Sequence, residues 1–381
     1  MSRHSIGLAL YRNELEKLWA HRARVLLIAF ILIVLGGSFI VYNSHQSAKT
    51  MQRQTIAMMQ SQVATLHHQI KQSSGTHKAM LVTELKGDEQ GLRQMTSQHN
   101  TLNVASQIKM LKTELKHSPL ASQGPDREEL AQYQSMASHG IRSYNPNAEN
   151  GFRLAGQVFS NPAMMVFALL AVGLAADRIS SEVEGGTLGG LLLHAPYRLK
   201  VYLAKLLASL TVIWGFMAAA AVGFFIAGSA FFGSGSAQVP HVVGIRVNIL
   251  PGSPAQVQVP VQTFHLLPQW SYDLLSLALA MIAMGALVAI ALMISILTRS
   301  TVIALIIGAL LVVSGALSHL LGFFAAWDPV VQLPLMADWT RKATAQFSIH
   351  GFSLESGLMV VFTWTAAAIV VGLWYAQRLD V

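Results

Sequence analysis

The sequence contains no cysteine, which excludes disulfides, thiolate metal sites and cysteine nucleophiles. Any part outside a membrane must therefore be stabilised by packing alone. Charged residues are also scarce: they make up 12% of the 381 residues, against about a quarter in an average soluble protein. With 53% hydrophobic residues, this composition predicts an integral membrane protein. The net charge of +8 agrees with basic flanks of membrane spans, so we expect no nucleic acid partner.

Sequence motifs that carry enzymatic chemistry are missing as well. The chain has no G-x-x-x-x-G-K-[ST] and no L-S-G-G-Q, so it lacks the phosphate-binding loop of an ATPase. It also has no H-E-x-x-H and no G-x-S-x-G. The apolar stretches contain almost no ionisable residues from which a proton relay or an acid–base pair is built. We therefore expect no catalytic residue, no cofactor bound by this chain and no enzyme activity of its own.

Six apolar stretches are candidates for crossing a hydrocarbon core about 30 Å thick. The first is an anchor rather than a signal peptide, because its basic flank and its apolar run are both too long. The second is the least secure, because Asn161-Pro162 interrupts it and its strongest run covers only 163–176. The turn at 298–300 is so short that the fourth and fifth stretches must be neighbours. Small residues in the fifth stretch should let helices approach it closely, namely Gly308, Ser314, Gly315 and Ser318. The predicted fold is all-α with six transmembrane helices, at 25–42, 158–176, 201–232, 272–297, 301–324 and 356–376.

The distribution of Lys and Arg over the short segments predicts the orientation, because basic residues concentrate on the cytoplasmic side. With both termini inside, three basic residues lie outside, namely Arg246, Arg341 and Lys342. Eleven lie inside: Arg3, Arg12, Lys17, Arg22, Arg24, Arg178, Arg198, Lys200, Lys205, Arg299 and Arg378. The segment 177–200 is therefore predicted to be cytoplasmic. We expect Lys205, at the start of the third span, to extend its ammonium group toward water.

The two large polar insertions, at 43–157 and 233–271, are predicted to lie outside the membrane on the opposite side. In the first, apolar residues step at helical and near-heptad spacing, which indicates two or three helices in a coiled-coil-like hairpin. Asp126 is expected to cap a short helix there. The second alternates valine and isoleucine with other residues around a turn at 251–254, which predicts a small β-hairpin with Pro240 and Pro260 at strand ends. The heptad-like series are Met59, Val63, Leu66 and Ile70; Leu81, Leu85, Leu92, Met95 and Leu102; and Ile108, Leu111 and Leu115.

Several histidines lie in the first insertion, and His67-His68 raises the hypothesis of a metal site. Adjacent residues on a helix point about 100° apart, and no carboxylate follows at i+4. Solvated histidines and no metal are therefore the preferred interpretation. The loop at 325–355, with tryptophans beside an apolar patch, is predicted to contain interfacial helices.

Residues 1–24 combine basic side chains with apolar residues at helical spacing. This pattern predicts an amphipathic helix that lies in the lipid headgroup layer, while an ordinary basic flank is the alternative. The apolar face consists of Leu8, Tyr11, Leu15, Leu18 and Trp19.

The segment 177–205 is a polar, glycine-rich insert between two apolar spans. Gly185 and Gly186 should end any helix that arrives from the membrane, and Thr187 is placed to cap a new short helix. Leucines then give that helix an apolar face until Pro196 limits it. An amphipathic helix at the membrane surface follows from this pattern.

The sequence from Glu184 through Gly186, Thr187 and Leu188 to Leu191, Leu192, Pro196, Arg198 and Lys205 resembles the first intracellular loop of ATP-binding-cassette (ABC) transporter permeases of the type-two exporter class. The spacing before Gly186 is shorter than in that family. The resemblance implies a coupling helix that docks on a separate cytoplasmic ATPase, which binds ATP and Mg. The docking residues it implies are Glu182, Glu184, Gly185, Gly186, Thr187, Leu188, Leu191, Leu192, Pro196 and Arg198. An ordinary interfacial helix between two spans is the alternative.

The same resemblance implies a multi-pass permease subunit in the bacterial cytoplasmic (inner) membrane. Its partners would be the ATPase, a second permease copy or a paralogue, and membrane lipid, and its activity would be export. The insertion 43–157 is large for a simple exporter permease, which favours a second hypothesis. In that hypothesis the chain is a non-transporting anchor that transmits force from the ATPase to a periplasmic or envelope partner.

Overall fold

The computed structural model describes residues 3–72, 81–82, 85–89, 102–117, 123–146, 148–159, 163–187, 198–244, 248–250, 256–258, 264–317, 322–340 and 353–378. Most of these residues are helical, and the strands are short. Five of the described helices are long and apolar enough to cross a membrane, as the composition predicts for a membrane protein. They are Arg24–Gln72, Ala163–Glu184, Arg198–Phe232, Gln269–Thr298 and Leu354–Gln377.

The described elements follow one another along the chain in this order. The helices are α1 (Arg3–Ile31), α2 (Gly37–Gln72), α3 (Val104–His117), α4 (Gly124–Ser138), α5 (Gly151–Gln157), α6 (Ala163–Ala175), α7 (Ser180–Glu184), α8 (Arg198–Phe232), α9 (Gln269–Thr298), α10 (Thr301–Ala316), α11 (Leu335–Trp339) and α12 (Leu354–Gln377). A π-helical turn, Leu32–Gly36, joins α1 to α2, and a 3₁₀ helix covers Gly322–Trp327. The membrane-length stretch Arg24–Gln72 thus combines the end of α1, this turn and α2, and Ala163–Glu184 combines α6 with α7. The strands are β1 (Leu102–Asn103), β2 (Ser143–Tyr144), β3 (Pro240–Val243), β4 (Asn248–Leu250), β5 (Gln256–Gln258) and β6 (His265–Pro268).

Helix α9 lies at the centre of the bundle. In its most apolar stretch 61% of the residues are buried, against 17% in the first span. It contacts α6, α8, α10 and α12. Buried alanines, including Ala283, Ala286 and Ala289, let these neighbours approach closely.

Helix α10 is shorter than the fifth span that the sequence predicts. It ends at Ala316, and the predicted end at 324 falls inside the 3₁₀ helix. Its small residues do bring neighbours close, as predicted: a Cβ on Gly308 would overlap Val172 of α6, and one on Gly315 would overlap Val330. The segment after α10 therefore folds back onto the bundle, where Val330, Leu333 and Leu335 join the main core. The predicted small residue Ser318 lies outside the described residues.

The first span does not end where the apolar residues end. The helix continues without a break from Arg24 to Gln72, far past the predicted boundary at 42. The reason is that residues 43–72 contain neither glycine nor proline, so nothing in this polar stretch interrupts the helix. Its apolar residues Val63, Leu66 and Ile70 then pack against Leu81 and Leu85.

The remainder of the first insertion departs from a continuous heptad. Leu102, predicted to extend the helical series, lies in β1, which pairs antiparallel with β2. Helices α3 and α4 pack together through a small core that includes Leu111 and Tyr133, and Val239 from the second insertion joins it. Asp126 does not cap α4, since that helix begins at Gly124 after Gln123 and Asp126 lies in its first turn. Leu92 and Met95 lie outside the described residues.

The second insertion contains the antiparallel pairing that the alternation predicts. Strand β4 pairs with β5 across residues 251–255, and β3 pairs with β6 outside that pair. Pro240 begins β3, as expected of a residue that cannot donate a backbone hydrogen bond within a strand. Pro260 lies outside the described residues.

The N-terminal helix changes direction before it becomes the first span. From residue 30 onward it runs beside α8 with an almost constant offset in residue number, as shown by the contacts of Phe30 with Phe216, Val34 with Gly223 and Tyr42 with Phe231. Continued at that offset, Tyr11 would lie beside about residue 199, roughly 18 Å along the helix axis from Thr211. Instead the Tyr11 hydroxyl lies 3.0 Å from Thr211 Oγ1. The helix therefore bends between Tyr11 and Phe30, and we call this bend the elbow.

Candidate functional site

Five charged side chains meet where the N-terminal helix, α7 and α8 come together. Glu14 is buried, and its Oε2 lies 2.6 Å from Arg178 Nη2 and 3.0 Å from Lys205 Nζ. The Lys205 Nζ atom is also 2.8 Å from Glu182 Oε1. Lys17 Nζ lies 3.4 Å from Glu14 Oε1 and 3.2 Å from Glu182 Oε1. We call Glu14, Lys17, Arg178, Glu182 and Lys205 the ionic cluster.

The ionic cluster connects three segments that are far apart in sequence. Glu14 and Lys17 come from α1, Arg178 and Glu182 from the segment after α6, and Lys205 from α8. Three cations and two carboxylates give a formal charge of 3 − 2 = +1. Each buried charge is compensated by at least one opposite charge, which offsets the large cost of removing it from water. Loss of one member leaves the others buried without full compensation.

The expectation that Lys205 extends toward water is wrong. Its side chain is fully buried, at 0% exposure, although it lies near the polar end of a membrane-length helix. The reason is that Glu14 and Glu182 supply two carboxylates inside the protein, so the ammonium group has partners without reaching water. The one lysine of this predicted apolar span therefore forms buried ion pairs with Glu14 and Glu182.

Electrostatics at the ionic cluster favour the charged forms. Burial alone would raise the pKa of Glu14, but the positive charges of Lys205 and Arg178 outweigh it and hold the pKa below its usual value of 4.5. Burial alone would lower the pKa of Lys17, but Glu14 and Glu182 reverse that effect and hold the pKa above its usual value of 10.5. Both groups are therefore ionised at neutral pH.

A set of hydrogen bonds fastens the segment 177–187 to the turn between α9 and α10. The Ser295 hydroxyl of α9 accepts from the backbone N–H groups of Ile179 and Ser180, at 3.1 Å and 3.0 Å. In return, Glu184 Oε1 accepts from the backbone N–H of Thr301 at 2.9 Å. Each contact satisfies backbone donors that a helix N-terminus leaves without an internal partner. The start of α7 is therefore capped by a side chain of α9, and the start of α10 is capped by a side chain of α7.

The predicted docking residues do not share one environment in the structure. Glu182 belongs to the ionic cluster, and Glu184 caps α10. Helix α7 ends at Glu184 with Gly185 as its C-cap, and Gly186 has a φ of 65°, so the two glycines end the helix where the sequence predicts. Thr187 is exposed and donates to the Glu182 carbonyl at 3.4 Å, while the helix it was expected to cap lies outside the described residues. Also outside them are Leu188, Leu191, Leu192 and Pro196.

Arg198, the last predicted docking residue, contacts the opposite end of the sequence. Its Nη1 donates to the carbonyl of Gln377 at the end of α12, at 3.0 Å. A cation suits this position because the last carbonyls of a helix lack internal partners. Nearby, the guanidinium of Arg378 lies 3.9 Å from the centre of the Trp374 ring. The end of α12 is thus fixed to the start of α8.

The predicted interfacial residues of α1 do not share one environment. Leu18 is fully buried in the main core, whereas Leu8 and Trp19 are 70% and 66% exposed. Tyr11 and Leu15 are intermediate, and Tyr11 reaches Thr211. The face of α1 that meets the protein therefore consists of Tyr11, Glu14 and Leu18, while Leu8 and Trp19 are available to a membrane.

Sequence reasoning missed Glu14 and Ser295. A signal for Glu14 exists, because its spacing of three and four residues from Tyr11 and Leu18 puts a carboxylate on the apolar face of the helix. A charge on such a face needs a buried partner of opposite sign. Ser295 carries no comparable signal, since a serine in an alanine-rich helix is compatible with simple packing.

One contact in the structure involves the His67-His68 pair, for which the sequence raises the hypothesis of a metal site. His67 Nε2 lies 3.3 Å from Glu89 Oε1, in a contact where both side chains are more than a third exposed. Among the described residues no three His, Asp or Glu side chains are grouped closely enough to hold a metal ion. His68 is exposed on the same helix.

The fold and these contacts define a helical membrane protein whose spans are joined at one end by buried charges. Comparison with known families places the chain further. It belongs to a family described as protein of unknown function (DUF2705), whose model matches residues 132–381. The matched part contains Arg178, Glu182 and Lys205, while Glu14 and Lys17 precede it. No curated protein and no solved structure matches the chain.

Proposed function

We propose that the chain is the membrane-spanning subunit of an ABC-type transporter, in which a separate cytoplasmic ATPase docks on the loop that begins at Asp177. The observation that carries the proposal is the attachment of 177–187 to four helices, through the ionic cluster and through Ser295 and Glu184. A force applied to this loop reaches α1, α8, α9 and α10 directly. The resemblance of the loop to coupling loops supplies the identity of the partner.

This attachment suits force transmission rather than chemistry at the loop. The contacts are ion pairs and capping hydrogen bonds, which hold position but activate no nucleophile. Two parts of the loop serve different purposes in the proposal: the buried part, Arg178 and Glu182, connects to the bundle, and the part from Thr187 onward meets the ATPase. In the assembled complex the ATPase holds ATP and Mg, and the membrane unit is a pair of identical or related chains in the bacterial inner membrane.

Purification with the partner tests this function. An affinity-tagged chain, expressed in its native host, is expected to bring down an ATP-hydrolysing subunit. The double variant Leu191→Ala/Leu192→Ala removes the predicted docking face and should abolish both co-purification and the stimulation of ATP hydrolysis. Leu8→Ala, at a leucine that is 70% exposed on α1, is the matched control and should retain both.

Equal thermal stability of the two variants shows that any loss is specific to docking. Full co-purification and full stimulation of ATP hydrolysis in the double variant would count decisively against docking at this loop. Absence of any ATP-hydrolysing subunit from the wild-type preparation would remove the ABC assignment altogether.

A second candidate function, force transmission without transport, is favoured by the length of the first membrane helix. It has 49 residues, from Arg24 to Gln72. At about 1.5 Å per residue such a helix is about 70 Å long, more than twice the roughly 30 Å of a hydrocarbon core. This helix, which includes the π-helical turn Leu32–Gly36, connects the elbow to the first insertion. In this second proposal it transmits movement of the elbow to the first insertion.

A helix break at the membrane boundary separates the two functions. Gln46→Pro interrupts this first membrane helix, whereas Gln46→Ala leaves it intact. If the chain transmits force to an envelope partner, ATP should change the protease sensitivity of the first insertion, and only the proline variant should lose that change. If the chain is a permease, ATP-dependent substrate transport in proteoliposomes should be present and should survive Gln46→Pro.

A further inference from the structure

An apolar groove of about 1000 Å³ occupies the inside of the elbow. One wall comes from the part of α1 before the bend, including Leu15 and Trp19, and a second from the part after it, including Leu27 and Phe30. The floor is the face of α8 that contains Gly215 and Ala219. The groove exists because α1 bends away from α8 and then returns to run beside it.

The groove has the properties of a site for a hydrocarbon chain. Its walls are almost entirely apolar, and Trp19 and Leu27 on its rim are 66% and 60% exposed. A Cβ added to Gly215 would meet no atom within 4 Å, so the floor is open rather than filled by a neighbouring side chain. Near one wall, the hydrogen bond between Tyr11 and Thr211 fixes the first arm of α1 to α8.

One cation lines this apolar space at the point where the first membrane-length helix begins. Arg24 lines the groove, is exposed, and has no carboxylate partner among the described residues. The acidic residue on the lining, Glu16, is already paired with Arg12 at 2.8 Å. The groove therefore combines an apolar cleft with an excess positive charge at its rim, which complements a ligand with a hydrocarbon tail and an anionic head.

We propose that the elbow groove binds one molecule of an anionic phospholipid. One acyl chain lies between the two arms of α1 on the floor formed by α8, and the phosphate lies at the Arg24 guanidinium. A free anion would gain nothing from the apolar walls, and a zwitterionic lipid, whose phosphate is already compensated by its own cationic group, would gain less from Arg24. This site is separate from the ionic cluster and does not depend on the identity of the ATPase partner.

Lipid retention by the intact chain tests the proposal. The purified full chain is delipidated in mild detergent and offered equal, limiting amounts of phosphatidylglycerol and phosphatidylcholine, and retained lipid is counted by native mass spectrometry. We expect one retained lipid per chain, with phosphatidylglycerol preferred about tenfold. Ala219→Trp fills the floor and should abolish retention, and Arg24→Gln should retain a lipid but lose the preference.

Matched controls keep the test informative. Val222→Trp adds the same bulk to a position of α8 that is 58% exposed and does not line the groove, and it should retain lipid normally. Arg378→Gln removes a cation that lies over Trp374 instead, and it should keep the preference. If Ala219→Trp fails to fold, Gly215→Leu fills the same open space and replaces it.

Three outcomes would overturn the proposal. The first is equal retention of both lipids by the wild type. The second is unchanged retention in the variants that fill the groove, which would locate the bound lipid elsewhere. The third is a lipid-free dimer in which a second copy of the chain protects the groove residues from labelling.

Discussion

The two ends of the bundle treat buried charge in opposite ways. At one end, Glu14 contacts three cations, and every charge of the ionic cluster has a partner of opposite sign. At the other, Asp338 is buried, and neither of its carboxylate oxygens has a hydrogen-bond partner among the described residues. The two ends are about 30 Å apart along α12, because Gly357 lies beside Asp338 whereas Gln377 lies beside Arg198.

This difference shows which end is fixed by charge and which holds a neutral acid. Burial raises the pKa of Asp338 to about 8, so this carboxyl is protonated at neutral pH. The oxygen Oε1 of Gln332, another buried side chain, also lacks a partner among the described residues, and both side chains face Gly357. The cluster end is therefore stable when its side chains are charged, whereas the other end is stable when Asp338 is protonated and uncharged.

The largest effect is expected from Glu14→Gln. The variant keeps the shape of the side chain but leaves Lys205 and Arg178 with less compensating charge in a buried site. Breaking a buried ion pair in this way costs about 3–5 kcal/mol. The measurement is the free energy of unfolding in detergent, together with hydrogen exchange along α1, which should exchange faster.

Glu16→Gln is the control, because Glu16 forms an exposed pair with Arg12 and should contribute less than about 1 kcal/mol. The stability difference between the wild type and Glu14→Gln should also depend on pH. The folded-state pKa of Glu14 is depressed below 4.5, so its contribution is present above pH 4.5 and is lost as the pH falls further. Equal stability of Glu14→Gln and Glu16→Gln at pH 7 would refute the structural role of the cluster.

An effect of a few kcal/mol with the opposite pH dependence is expected from Asp338→Asn. The folded-state pKa of about 8 lies above the ordinary value of 3.8, so the stability that the bound proton contributes is complete below pH 3.8 and is lost as the pH rises toward about 8. The slope can approach about 1.4 kcal/mol per pH unit. Because asparagine cannot ionise, the variant should lack this decline and exceed the wild type in stability at pH 9.

Unfolding free energies measured from pH 5 to pH 9 check this prediction. Glu355→Gln removes an exposed carboxylate near the start of the same helix α12 and should keep the wild-type slope. A wild-type curve that is flat over this range would show that Asp338 is ionised in the fold.

The smallest effect, about 1–3 kcal/mol, is expected from Ser295→Ala. The variant removes the acceptor for two buried backbone donors, those of Ile179 and Ser180. Amide hydrogen exchange at these two residues should increase together with the loss of stability. Thr298→Ala is the control, since its hydroxyl donates to carbonyls and its removal frees no backbone N–H. Protected amides at 179 and 180 in Ser295→Ala would contradict this role.

The sequence alone predicted the features that depend on local pattern. The helix stop at Gly185-Gly186, the neighbouring spans around 299–300 and the pairing of β4 with β5 follow from residue types at fixed spacing. The close approaches at Gly308 and Gly315 follow from residue size. These properties concern neighbouring residues or the absence of a side chain, so they can be inferred without knowing the tertiary structure.

Features that depend on partners distant in sequence could not be predicted in the same way. Glu14 and Lys205 are 191 positions apart, and nothing in either local pattern names the other as its partner. The length of the first helix was missed for another reason. The polar residues from 43 onward were predicted to begin a separate helical insertion, whereas the helix of the first span continues through them to Gln72.

Helices α9 and α10 are connected by only Arg299 and Ser300, with Arg299 in the left-handed region at a φ of 52°. The segment after α6 contacts both sides of this connection, binding Ser295 of α9 before it and the backbone N–H of Thr301 after it, which donates to Glu184. If the segment after α6 moved along this hairpin, the hydrogen bonds to Ser295 and Thr301 would break one after another. A change of shape that keeps these hydrogen bonds intact must move the segment 177–187, α9 and α10 together as one rigid unit.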